Sequence, residues 1–193
     1  IREKPLLAVI SGYGGREIVA FCGWETRTAY SGRKEEIRIS FGQEHNQSGF
    51  DYFMRGMFQA AEEEFSLAVQ LDREAGAALN NLGVTLIKEG KLEEARLRLN
   101  EAVQADPASA IFYNNLGVAY FLAGKTDLAG TALEKSRALD DGSSAVCLNL
   151  GDLYYKQSVS DAEVMKAIEL YRKVGAVDPL SDIAAQRLMH KVP

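Results

Sequence analysis

Cysteine and histidine are scarce in this chain. Cys22 and Cys147 are the only cysteines among 193 residues. Their separation fits neither a disulfide framework nor a metal-ligand spacing. Two buried free thiols are the expectation. The alternative is one bridge from the N-terminal segment, which matters only in an oxidising compartment. The two histidines, His45 and His190, lie far apart in the chain. No His-Glu-x-x-His, Cys-x-x-Cys or Gly-x-Ser-x-Gly occurs, so no catalytic residue, metal or cofactor is expected. Apolar runs such as Leu6 to Ile10 are far too short to span a bilayer. Basic residues are outnumbered, 22 Lys and Arg against 27 Asp and Glu, for a net charge of −5. That balance, with no dense basic cluster, argues against a nucleic-acid surface.

Other local signals have ordinary readings. Glu62-Glu63-Glu64 and Glu93-Glu94 read as solvated helix faces, and Asp140-Asp141 as a turn between repeats. Asn46-Gln47-Ser48 matches a glycosylation sequon, but it falls where a helix is expected to begin. The chain starts at Ile1 rather than Met. A cleaved targeting segment or a trimmed start is the expectation, leaving export to the periplasm or outside open beside a cytoplasmic location.

What the sequence does contain is a repeat. Asn80-Asn81-Leu82-Gly83-Val84 returns as Asn114-Asn115-Leu116-Gly117-Val118, and more loosely as Leu148-Asn149-Leu150-Gly151-Asp152, each 34 residues on. A fixed period of this size signals a solenoid, whose units bury their apolar faces only by stacking. From about residue 42 the apolar spacing is helical: Leu79, Leu82 and Leu86, then Ala95, Leu99, Ala102 and Val103. Gly90 and Gly124 break helix pairs, and Asp106-Pro107 ends one unit.

These residues resemble the tetratricopeptide repeat (TPR) family. Over 76–109 the family's positions fall on Leu79, Leu82-Gly83, Leu86, Gly90, Ala95, Leu99, Ala102 and Pro107. Over 110–143 they fall on Tyr113, Leu116-Gly117, Tyr120, Gly124, Ala129, Leu133 and Ser136. The last copy supplies Cys147, Leu150-Gly151 and Tyr154, then Ala167, Tyr171, Val174 and Pro179. Its register needs four extra residues between Lys156 and Val164, read as a longer loop. The first copy keeps Gly49, Tyr52, Gly56, Ala61, Phe65 and Ala68. The resemblance implies a mostly α, helix-turn-helix solenoid over residues 42–193. Its four repeats span about 42–75, 76–109, 110–143 and 144–181, with a capping helix over 182–193. Gly83, Gly117 and Gly151 are expected where Ala95 or Ala129 approaches from the second helix.

Residues 1–41 read differently. Pro5 to Tyr13 and Glu17 to Cys22 are apolar and partly β-branched, and Glu36 to Phe41 alternates strictly. With Gly12, Gly14-Gly15, Gly23 and Ser31-Gly32 between them, they predict three or four short strands in hairpins. Gly12-Tyr13-Gly14-Gly15 is read as a turn, not a phosphate loop. About 40 residues seldom fold alone, so this segment is expected to pack on the first repeat or to pair with another chain.

The resemblance implies a binding protein rather than an enzyme, with first helices lining a concave groove. Asn81, Asn115 and Asn149 fall on an asparagine row, with Gln47 in the equivalent place and Asn80 and Asn114 beside it. Their amides can bind a peptide backbone bidentately, or hydrogen-bond the neighbouring repeat. Phe50, Phe53, Met54, Val84, Ile87, Lys88, Val118, Phe121, Leu122, Asp152, Tyr155 and Lys156 complete the groove by the same resemblance. The carboxylate-clamp class carries Lys and Asn where Asn46 and Phe50 stand here, which argues against a chaperone-tail clamp. Two functions follow. One is a non-enzymatic scaffold that holds a peptide or protein segment in the groove. The other is an exported, self-assembling subunit (a filament or oligomer) in which the N-terminal β segment docks on a neighbouring copy.

Overall fold

The computed structural model describes residues 9–11, 18–20, 33–72, 75–157, 160–174 and 180–191. Side chains are described from Phe41 onward, Ser181, His190 and Lys191 excepted. Cys22, the Gly12–Gly15 turn and Pro179 lie outside the described residues.

From Arg33 onward the described residues form an all-α architecture. The helices are α1 Arg33–Met54, α2 Phe58–Leu71, α3 Gly76–Lys88, α4 Leu92–Ala105, α5 Ala110–Leu122, α6 Thr126–Leu139, α7 Ser144–Gln157, α8 Asp161–Lys173 and α9 Ser181–Lys191. They fall into two compact units that divide between Ala108 and Ser109. The first holds the helix pairs α1–α2 and α3–α4; the second holds α5–α6, α7–α8 and α9.

The β segment expected over residues 1–41 is not supported. Two three-residue runs, Val9–Ser11 (β1) and Ile18–Ala20 (β2), pair antiparallel. Glu36 to Phe41, read as a strand, lies inside α1. Six alternating residues are too few to separate the two periods. Arg33, Lys34, Glu35 and Glu36 just ahead are good helix formers that carry the helix through.

Each pair in the first three repeats turns in the same way. Gly56, Gly90 and Gly124 have φ of 75°, 77° and 74°, a left-handed conformation that costs glycine little. The following residue's N–H reaches back to a carbonyl five positions earlier: Met57 to Tyr52, Lys91 to Leu86 and Lys125 to Tyr120, at 2.9–3.0 Å. This is the Schellman closure, which satisfies carbonyls that the helix end leaves open. The fourth pair differs, though not through a longer loop. Its extra residues are absorbed as helix: α7 runs to Gln157 and α8 starts at Asp161. Residues 158–160 remain between them, as many as the 123–125 between α5 and α6.

Within every pair, a glycine on the first helix faces a large side chain from the second. A Cβ on Gly49 would lie 2.7 Å from the Phe65 ring, on Gly83 2.5 Å from Leu99 Cγ, and on Gly117 2.6 Å from Leu133 Cγ. Gly151 stands the same way against the Tyr171 ring. The alanines expected at this approach contribute a backbone oxygen, Ala95 and Ala129 each at 3.3 Å. The space itself is filled from one turn further along the second helix. Phe65, Leu99, Leu133 and Tyr171 are all essentially fully buried.

The second unit closes on α9 through an ion pair. Arg187 of α9 donates from Nε and Nη2 to Asp152 of α7 at 2.8 and 3.0 Å, and Tyr171 Oη donates to the same carboxylate at 2.7 Å. Both charged side chains are only 15% exposed, so the pair is far less screened than a surface one. Leu180 and Ala184 seat α9 in the core formed by Leu148, Leu150, Leu153 and Tyr171.

Two predictions follow from this packing. Gly117→Val should lower unfolding free energy in urea by about 1–3 kcal/mol through overpacking against Leu133. Gly130→Ala, where the added Cβ meets only Leu153 Cδ2 at 3.5 Å, should be neutral or stabilise by up to about 1 kcal/mol. Equal destabilisation by both would contradict the close-approach account. Asp152→Ala strips Arg187 and Tyr171 of their acceptor, at a cost of about 1–3 kcal/mol. Hydrogen exchange should then accelerate in α9 before α5 and α6; unchanged protection of α9 would contradict its attachment by this pair.

Candidate functional site

The residues expected to face a partner lie on the first helices α1, α3, α5 and α7. In the first unit, Asn81 Nδ2 donates to Asn46 Oδ1 of α1 at 3.1 Å, and Asn80 Nδ2 donates to Asn81 Oδ1 at 3.3 Å. In the second, Asn149 Nδ2 donates to Asn114 Oδ1 of α5 at 2.8 Å, and Asn114 Nδ2 donates to Asn115 Oδ1 at 3.1 Å. Asn80, Asn81, Asn114, Asn115 and Asn149 are all buried. Of the two roles open to the asparagine row, the observed bonds are those between neighbouring first helices. Buried amides must be paired, and these bonds to one another supply part of that pairing. Gln47 is exposed and donates to Asp51 on its own helix at 3.2 Å.

The other expected positions divide by depth. Val84, Ile87, Val118 and Phe53 are buried; Phe53 meets the Phe58 ring edge-on at 5.2 Å. Phe50, Lys88, Phe121, Leu122 and Tyr155 are half-buried, and Lys156 and Met54 are exposed. In the second unit Lys156 Nζ lies 4.5 Å from the centre of the Phe121 ring, a close cation–π approach. It brings α5 and α7 together at a face that combines ring, aliphatic and ammonium. Asp152 is not available to that face, because Arg187 and Tyr171 occupy its carboxylate. Sequence reasoning placed Asp152 there without finding Arg187. The signal was a carboxylate in a column otherwise filled by Val84 and Val118. A charge at an apolar repeat position needs a partner from outside the repeat pattern.

Several other titratable groups are held within the repeats. Burial pushes the Cys147 thiol up, keeping it protonated and poorly nucleophilic. Burial, then the Asp152 carboxylate, raises Tyr171. Tyr154 is pushed up to about 12 by burial and by its hydrogen bond to Glu134. His45 meets Glu64 at 2.7 Å. In the first unit Lys91 lies between Glu62 and Glu89 at 2.6 and 2.9 Å, and burial raises Glu89. Among the described residues no group of three or more His, Cys, Asp or Glu could hold a metal ion. No described helix is long and apolar enough to cross a membrane.

The family model described as TPR repeat matches residues 85–124. No curated protein matches the chain by sequence. The second TPR domain of human RPAP3, solved with the HSP70 peptide SGPTIEEVD, is 19% identical with a TM-score of 0.57, over 64% of this chain and 99% of that one. MamA 41-end from Desulfovibrio magneticus RS-1 is 20% identical with a TM-score of 0.60, over 73% and 97%. A Thermobaculum terrenum O-GlcNAc transferase mutant reaches a TM-score of 0.66 at 19% identity over 75% of this chain, which spans 28% of that protein. At these identities the likeness establishes the fold. The helix pairs and their glycine contacts thus show the fold of a tetratricopeptide-repeat solenoid, with a TPR match over residues 85–124.

Proposed function

We propose that this chain is a non-enzymatic interaction scaffold that holds a peptide or protein segment against the first-helix face of its repeats. The observation that carries this reading is the composite face of the second unit, where Phe121, Leu122 and Tyr155 are half-buried beside exposed Lys156. Aromatic side chains with an adjacent cation are the anchors that partners commonly use. Phe50 and Lys88 offer the same chemistry in the first unit. The buried asparagines support this face from below, and their amides reach a partner only by giving up bonds to each other. The human RPAP3 domain supports the reading, since the same fold there is in complex with an HSP70 peptide.

The self-assembly alternative drew on a β segment at residues 1–41. Its last strand is helix, and the first-helix face serves a foreign segment as readily as another copy. Light scattering separates the two. A constant mass near 21.2 kDa over a hundredfold concentration range fits the scaffold; a growing mass fits assembly.

A random-peptide display library selected on the full chain should yield a recurring sequence. Its binding should weaken about tenfold or more on Phe121→Ala or Tyr155→Ala, with far-UV circular dichroism unchanged. Selected peptides that bind both variants as tightly as the original chain would contradict this face as the site.

A further inference from the structure

A second cleft lies in the second unit, on different residues. It has a volume of about 220 Å³ and is lined by Glu134 and Arg137 of α6, Tyr154 of α7, and Lys166, Glu169 and Lys173 of α8. None of these is a first-helix face position named above. Three cations therefore line a pocket with two carboxylates, in a chain whose net charge is −5.

The pairing inside the cleft leaves the lysines least answered. Both oxygens of Glu134 are occupied: Tyr154 Oη donates to one at 2.6 Å, and Arg137 Nε and Nη2 donate to the other at 2.9 and 2.8 Å. Among the described residues Lys173 meets Asp141 at 3.7 Å, and that carboxylate is 75% exposed. Such a loose exposed pair contributes little. Lys166 lies 5.8 Å from the Tyr154 ring centre, with its ammonium still able to donate. Glu169 is the one acid of the lining that opposes them.

Nor does the repeat require these charges. One repeat earlier in the sequence, Asn100 and Val103 stand where Glu134 and Arg137 do, and Leu128, Thr131 and Lys135 where Lys166, Glu169 and Lys173 do. Four of these five places hold neutral side chains there and only Lys135 keeps a cation, so Arg137 and Lys166 are particular to this junction.

We propose that this cleft docks a short acidic segment of a protein partner, its carboxylates met by Lys166 and Lys173 with Arg137 behind them. The overall negative charge repels long polyanions, which confines the attraction to a short segment at this cleft.

The test uses the full chain and labelled hexaglutamate, followed by fluorescence anisotropy at low salt, with hexaglutamine as the neutral counterpart. Hexaglutamate should bind and hexaglutamine should not. The double variant Lys166→Gln/Lys173→Gln should weaken binding about tenfold, and Glu169→Lys should tighten it. Lys156→Gln, on the first-helix face, should leave it unchanged. Failure of hexaglutamate to bind, or undiminished binding by the double variant, would overturn the proposal. So would loss of binding on Lys156→Gln. Displacement of the peptide by an equal concentration of inorganic phosphate would mark a small-anion site and overturn the assignment to an acidic segment.

Discussion

The contact on which the rest depends is that between a side-chain-free position on each first helix and a large side chain from the second. Gly49, Gly83, Gly117 and Gly151 admit Phe65, Leu99, Leu133 and Tyr171 to distances that a Cβ would forbid. Interiors pack at crystal-like density and tolerate few voids, so this depth of insertion sets how closely two helices lie. It also fixes their rotation, and with it which residues face outward.

Stacking adds a second constraint. A row of amides one helix deep would be costly if left unpaired. The sequence meets that cost by using the same residue type in neighbouring repeats, so that each amide finds its complement in another. Where the row ends, the partner changes: Arg187 replaces an amide with a longer, charged fork, and Asp152 replaces valine to receive it. The last helix is therefore attached by an ion pair, whereas α1 with α3, and α5 with α7, are joined by neutral hydrogen bonds.

The repeat was legible because 34-residue spacing, turn glycines and small-large complementarity are written in adjacent columns. The depth of the asparagines was not, because an amide suits either a buried bond or an exposed peptide contact, and periodicity is the same for both. Arg187 lay beyond the last repeat, where no column predicts it. The cleft of α6, α7 and α8 was invisible for a related reason: its charges come from helices whose relative register shifts by the four residues absorbed at the ends of α7 and α8. Residues 33–41 were misread because a short alternating run satisfies the strand pattern while its neighbours favour helix.

The central claim is that the asparagine row joins neighbouring repeats. A double-mutant cycle on unfolding free energy tests it directly, using Asn114→Ala, Asn149→Ala and the pair. The account predicts a coupling of about 0.5–3 kcal/mol, because the second substitution removes a bond already lost. Additivity within about 0.3 kcal/mol would show that the two amides act independently, and would return the row to the role of a free binding surface.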